Sequence, residues 1–304
     1  MTDDLQVACI GLGKMGTGIA ENVLRAGFAT VVWNRSAEKA EPLVAAGARL
    51  ADSPRQATKG ADVVVSCLFD DASVLAATLG PEGILAGLAA GAVHAGATTV
   101  SPALTRRLAT EHADQGRGYL AAHVLGRPEA VRDGELLVLA GGPPEARAKA
   151  GPVLDAISRA VVDIGPDAAQ ASHAKLAANC GIVVALELMG EIYAWAGHAG
   201  LDRAVAESLL DGLLAGPALP AYNHRVAARS FAPGGFALQG GLKDVDLMLG
   251  AAAEVGVDLP AARVVRDRLR AAVDRGMGDL DWSAVTELAD PGAGVRAPEP
   301  QPRP

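Results

Sequence analysis

Up to about residue 165, short apolar runs alternate with amphipathic stretches, and after that point the alternation stops. Val7–Ile10, Thr30–Trp33, Val63–Cys67, Ala92–Ala95, Leu136–Ala140 and Val161–Ile164 read as strands, being short and rich in β-branched residues. The stretches Lys14–Ala26, Ser36–Ala46, Ala72–Leu79 and Pro102–Gln115 read as helices. This rhythm predicts an α/β domain over 1–165 with a doubly wound, mostly parallel sheet, whose sites open at the carboxyl ends of its strands. Beyond Gly165-Pro166 only helical pattern remains, the proline standing as the start signal of a long helix running from Asp167 to about Gly197. Roughly thirty residues make a helix of about 45 Å, long enough to bridge into a second domain. Further helices near 201–214, 218–230, 239–256, 260–275 and 281–289 complete an all-α domain over 166–290. The tail 291–304, with proline at 291, 298, 300, 302 and 304, is expected to be disordered.

The first strand runs into Gly11-Leu12-Gly13-Lys14-Met15-Gly16, and a helix follows that ends at Gly27. Glycines there let backbone N–H groups and a helix N-terminus close on a pyrophosphate, so the turn predicts dinucleotide binding. About twenty residues on, an acid would accept the ribose 2′-hydroxyl of NAD. This chain has Asn34-Arg35-Ser36 instead. A guanidinium pairs with a 2′-phosphate through charge-assisted bonds, and Ser36 reads as the N-cap of the next helix, so NADPH is the expected cofactor.

Composition narrows the remaining classes. Half of the 304 residues are apolar and 20% are charged, a globular profile. The net charge of −8 argues against general nucleic-acid binding. Cys9, Cys67 and Cys180 are odd in number and far apart, which suits buried thiols in a reducing, cytoplasmic setting. No signal peptide and no uninterrupted bilayer-spanning run are read. His94, His112, His198 and His224 show no metal spacing, and no metal is expected. Asp70-Asp71 reads as a helix cap, and Phe231 and Phe236 as pocket or core residues.

In the long helix, Lys175 and Asn179 are four apart and project from one face. A lysine beside an amide can bond a carbonyl oxygen and hand it a proton as hydride reaches the carbon, and partial burial would lower its pKa toward the working range.

Five segments in order extend this reading: the glycine turn with Asn22-Val-Leu-Arg-Ala-Gly27, then Trp33-Asn-Arg-Ser36, Thr98-Thr-Val-Ser-Pro102, the Lys175/Asn179 pair, and Gly241-Leu-Lys-Asp244. The series resembles the β-hydroxyacid dehydrogenases of the 3-hydroxyisobutyrate dehydrogenase and glyoxylate/succinic-semialdehyde reductase type, over residues 5–290. The N-terminal half, with Val31-Val-Trp-Asn-Arg-Ser36 and Tyr119-Leu120, is also similar to the imine reductases. The resemblance implies that Gly11, Leu12, Gly13, Lys14 and Met15 hold the pyrophosphate while Asn34, Arg35 and Ser36 face the adenosine phosphate. It implies that Cys67 and Leu68 pass beside the cofactor, that Thr98 sits near nicotinamide and substrate, and that Lys243, supported by Asp244, reaches back to the cofactor. Lys175 would be the proton donor, or acceptor in oxidation, with Asn179 orienting the substrate. A homodimer whose sites draw on both chains is implied as well.

One stretch departs from the family pattern. Where the family reads Asp-Ala-Pro-Val-Ser-Gly-Gly, a loop that grips a carboxylate, this chain reads Ala121-Ala-His123-Val124-Leu125-Gly126-Arg127-Pro128. His123, Val124, Leu125 and Gly126 are therefore the expected substrate contacts. Leu125 has no hydroxyl for a carboxylate, Arg127 stands where a glycine is usual, and His123 reads as a structural histidine or a second acid/base. The resulting expectation is an NADPH-dependent reductase acting on a small carbonyl or hydroxy compound. An imine reductase and a non-catalytic NADPH-binding protein are the alternatives.

Overall fold

The computed structural model describes residues 5–289, and the expected disordered tail at 291–304 lies outside them. Eight strands form one sheet: β1 (Gln6–Ile10), β2 (Ala29–Trp33), β3 (Arg49–Leu50), β4 (Val63–Ser66), β5 (Val93–Gly96), β6 (Gly118–Leu125), β7 (Leu136–Gly141) and β8 (Ser158–Gly165). Their order is β3-β2-β1-β4-β5-β6-β7-β8, parallel throughout except for the antiparallel pair β6–β7. All four residues of β4 and the last four of β1 are buried, as expected of apolar strands covered on both faces.

The connecting helices are α1 (Lys14–Arg25), α2 (Glu41–Ala45), α3 (Pro54–Thr58), α4 (Asp71–Leu79), α5 (Ile84–Gly87), α6 (Pro102–Ala113), α7 (Pro128–Arg132) and α8 (Pro144–Ile157). The end of α1 shows why the chain turns where it does. Gly27 at φ +88° donates its N–H to Leu24 O and Phe28 donates to Val23 O, a Schellman closure open to glycine. At the start of α4, Asp70 and Ser73 form a reciprocal capping box, while Asp71 accepts from the N–H and hydroxyl of Ser101, the cap of α6. Only Asp70 is thus the helix cap; Asp71 ties two carboxyl-end loops together.

The long helix is α9 (Ala168–His198), 31 residues, and the division into two compact units falls within it, between Cys180 and Gly181. It begins two residues after Pro166, with Asp167 Oδ1 accepting from Ala169 N–H. By length and composition α9 is the one helix among the described residues long and apolar enough to cross a membrane, a property that scanning for uninterrupted apolar runs passes over. The second unit continues with α10 (Arg203–Leu214), α11 (Ala218–Ala227), α12 (Leu238–Glu254) and α13 (Pro260–Ala272). Its core gathers Phe231, Leu238, Leu242, Val245, Leu269, Met277 and Ala284.

Two strands depart from the sequence reading. β3 is only two exposed residues long and carries no apolar signature. β6 occupies Gly118–Leu125, most of the stretch read as a substrate loop, because its residues pair antiparallel with β7 from Ala121↔Gly141 to Leu125↔Leu137. The loop proper shrinks to Gly126 and Arg127 before α7. Cys180 is likewise exposed, whereas the sequence reading expects buried thiols.

Candidate active site

The chain leaves β1 through Gly11, whose φ of +91° only glycine adopts readily. A Cβ there would stand 2.4 Å from Cys67 O, and one on Gly16 would stand 2.0 Å from Gly11 O. Both contacts are backbone, so the two glycines are required for the turn to close. Gly13 is different: a Cβ there meets nothing within 4 Å, and as N-cap of α1 it has no side-chain capping bond. The first-turn donors of Lys14, Met15 and Gly16 are therefore left for an anion. An open glycine in front of an uncapped helix fits the diphosphate of a dinucleotide.

Asn34 plays a role other than the one its position suggests. Its Oδ1 accepts from Leu12 N–H at 2.9 Å and its Nδ2 donates to Ser36 O at 2.9 Å. The amide is spent on clipping the glycine turn to the end of β2. Arg35 is exposed and forms no ion pair among the described residues. Ser36 is the N-cap of a short 3-10 turn, but its hydroxyl makes no capping bond.

Next along the sheet edge, Cys67 follows β4 and donates its N–H to Ile10 O at 2.9 Å. Burial pushes its thiol up to about 11, so it remains protonated and unreactive. Leu68 N–H is held by Thr98 Oγ1 at 2.8 Å, which fastens the β4 and β5 exits to each other. Thr98 itself is buried, its hydroxyl oxygen accepting that bond.

Lys175 is 8% exposed, and among the described residues its ammonium takes part in no hydrogen bond or ion pair. Desolvation lowers its pKa below the ordinary lysine value. Asn179, one turn on, is half-buried. Three residues before Lys175, Ser172 is fully buried, with Oγ 2.7 Å from Thr105 Oγ1 and 2.8 Å from His123 Nε2. The imidazole of His123 is completely buried, and its Nδ1 has no hydrogen-bond partner. Burial drives its pKa down to about 4, the Thr98 backbone works against the shift, and the Lys175 charge adds to it. His123 is thus neutral and half-satisfied, neither a fully bonded structural histidine nor a titrating acid/base at neutral pH. Ser172 and Thr105 escaped the sequence reading; the signal for Ser172 is its i,i+3 spacing to Lys175.

Val124 is buried and Leu125 half-buried, both in β6. Gly126, at φ +147°, has no room for a Cβ beside Leu136 Cδ2. Arg127, exposed, occupies the N-cap position of α7 without a side-chain capping bond. In the second unit, Lys243 is paired with Asp244 at 2.8 Å and lines a groove with Gln239, Leu242, Asp246 and Leu247. Phe231 belongs to the core there, while Phe236 packs edge-on against Trp282.

Beneath the edge lies a second buried polar chain. His94 Nε2 is 2.8 Å from Ser66 Oγ, His94 Nδ1 is 3.1 Å from His112 Nε2, and His112 Nδ1 lies 2.7 Å from Leu108 O. Since Leu108 O only accepts, the protons run one way: Ser66 to His94, His94 to His112, His112 to the carbonyl. Burial holds both imidazoles neutral, His112 at about 4 and His94 well below the ordinary value. Among the described residues no three His, Cys, Asp or Glu side chains gather as a metal site.

Comparison with known proteins divides the chain just ahead of α9, before the boundary of the two compact units at Cys180. Residues 6–165 match the family model described as the NAD binding domain of 6-phosphogluconate dehydrogenase. Residues 169–289 match the one described as NAD-binding of NADP-dependent 3-hydroxyisobutyrate dehydrogenase. An uncharacterized oxidoreductase of Bacillus subtilis, YfjR, is 39% identical over 281 residues, covering 92% of this chain and 98% of that protein. An NAD-dependent L-serine dehydrogenase of Pseudomonas aeruginosa is 32% identical over 95% of this chain and 99% of its own length. Among solved structures, the imine reductase of Myxococcus stipitatus in complex with NADP+ superimposes with a TM-score of 0.85 at 25% identity. That match covers 94% of this chain and 100% of the imine reductase.

Proposed function

The chain belongs to the 3-hydroxyisobutyrate dehydrogenase-type family of nicotinamide-dependent oxidoreductases, and from that premise we propose that it uses NADPH, with Lys175 as its proton donor. When bound, the nicotinamide supplies hydride to a carbonyl carbon or takes it from the corresponding alcohol. Gly13, Lys14 and Met15 hold the diphosphate on free backbone donors, Gly11 and Leu12 shape the turn with their own N–H groups bonded to Trp33 O and Asn34 Oδ1, and Arg35 meets the 2′-phosphate. The Lys175 ammonium bonds the substrate oxygen and passes its proton there as the carbon is reduced, leaving a neutral amine; in oxidation the amine takes that proton back. Asn179, one turn along the same helix face, orients the substrate. One observation carries the reading: a lysine 8% exposed, with no partner among the described residues, in the unit whose glycine turn leaves a helix N-terminus open.

Replacing Lys175 with methionine tests it against a panel of β-hydroxy acids, aldehydes and cyclic imines. Turnover is expected to fall on the order of 10²–10⁴-fold with NADPH affinity unchanged. A variant that keeps full carbonyl and hydroxy-acid activity overturns the assignment. The imine reductase reading is favoured by the resemblance of the N-terminal half and by the missing carboxylate clamp, where Leu125 stands in place of the family's serine. Imine turnover that survives in the variant, in a protein without carbonyl activity, would establish it.

We infer further that the protein acts as a homodimer. Ile182, Val183, Val184 and Leu186 of α9 and Leu209 of α10 are each more than half exposed. An apolar surface of that kind calls for a cover, and a second copy presents the same one. Light scattering on the eluting protein should give twice the chain mass without detergent. A detergent-dependent monomer would point to a membrane instead.

A further inference from the structure

Two complementary groups near each other are poorly matched among the described residues. His123 Nδ1 is a buried nitrogen that forms no well-aligned hydrogen bond, the Thr98 backbone being its nearest candidate. Lys175 is 8% exposed as a residue, and its ammonium, which reaches the solvent side, makes no hydrogen bond or ion pair among the described residues. They are brought together through Ser172, whose Oγ is 2.8 Å from His123 Nε2 and which stands three residues before Lys175 on one helix face. Native interiors seldom leave a buried nitrogen such as His123 Nδ1 poorly matched, and the nearest free donor is the Lys175 ammonium.

Resting on the reading of Lys175 as proton donor, we propose that His123 is its positioning residue. With a turn of the lysine stem, bare Nδ1 accepts a hydrogen bond from the ammonium, in the neutral tautomer whose Nε2–H bonds Ser172. The protons then run in one direction. Nε2–H donates to Ser172 Oγ, and the Ser172 hydroxyl donates to Thr105 Oγ1, 2.7 Å away. The flexible lysine stem is thereby aimed before substrate arrives. His123 gains and loses no proton in the reaction; the one proton that moves passes from Lys175 Nζ to the substrate oxygen. Lys175 is the charged group that bears on His123, and no charged neighbour bears on Lys175 in turn. The competing arrangement is Nδ1–H turned toward the Thr98 backbone, in which no lone pair faces the ammonium.

Asparagine and glutamine separate the two ring nitrogens, because the asparagine amide overlays Nδ1 and the glutamine amide overlays Nε2. His123→Gln keeps the Ser172 contact and loses the acceptor. It is expected to lower kcat about 10- to 100-fold with little change in KM. Its basic pH limb should move to lower pH, since an unsupported ammonium gives up its proton more readily. His123→Asn should recover most of both. Nitrogen-15 NMR of histidine-labelled wild-type protein reads the tautomer without any variant, and a bare Nδ1 with protonated Nε2 is expected.

An Nδ1–H tautomer, or Asn and Gln variants with the same pH limbs, overturns the proposal. If Lys175→Met is inactive while both His123 variants keep wild-type profiles, the proton-donor reading stands and the His123 role falls. If Lys175→Met is fully active, the proton-donor reading itself fails.

Discussion

Arg35 shows how far a single side chain can be argued from sequence. An exposed guanidinium with no ion pair among the described residues, at the end of β2, has no structural duty to give up. Replacing it with aspartate should cost a charge-assisted bond, about 1.5–3 kcal/mol, and raise the KM for NADPH roughly 10- to 100-fold. The KM for NADH should change little, and equal losses with both cofactors would count against a 2′-phosphate contact. Asn34 teaches the opposite lesson. Its position beside Arg35 suggested the cofactor, yet both ends of its amide bond backbone, which no linear pattern reveals. Ser172 and Thr105 were invisible for a related reason. They lie 67 residues apart and acquire meaning only when α6 and α9 pack together.

At the scale of elements, legibility followed the apolar run itself, since β6 is as buried as β1 and still went unread. β1, β2 and β4 are covered on both faces, so their apolar runs stood out in sequence. β3 is two exposed residues at the sheet edge, and β6 is broken by His123 and bounded by glycine, so neither carried that signal. The cost was concrete, since much of the expected substrate loop is strand. The short helix α7 that follows is fixed from below by α1. Gly18 makes room for Val131, Asn22 Nδ2 donates to Val131 O, and Arg25 donates to Arg132 O at 3.2 Å. Replacing the buried Asn22 with leucine leaves the Val131 carbonyl only its bond from Gly134 N–H, takes the Asn22 Oδ1 acceptor from Arg25, and should cost about 1–3 kcal/mol. Thermal unfolding should then fall by about 2–10 °C, and an unchanged midpoint would show that α7 is held by packing alone.

Across the whole molecule, the buried imidazoles make stability depend on pH in a definite direction. His112 and His123 are held at about 4 and His94 well below the ordinary 6.5, in each case chiefly by burial. The native state therefore stays unprotonated at these sites as pH falls through 6.5, while the unfolded chain takes up protons there. Because the unfolded state binds more protons, stability rises with pH in this window. The contribution is complete above about 6.5 and is lost progressively toward pH 4. Each proton of difference is worth about 1.4 kcal/mol per pH unit, so three imidazoles give a slope approaching about 4 kcal/mol per unit near pH 5. The carboxylates enter later: Asp70 and Asp281 titrate below their ordinary 3.8, outside this range. Urea unfolding at pH 7.5, 6.5, 5.5 and 5.0 should show a plateau followed by a steep fall. Unfolding at pH 5.5 in buffers of different ionisation enthalpy should register two to three protons taken up. A stability that stays level from pH 7.5 to 5.0 would mean that the His94–His112 chain and His123 open to solvent without unfolding, and that their neutrality does not hold the fold.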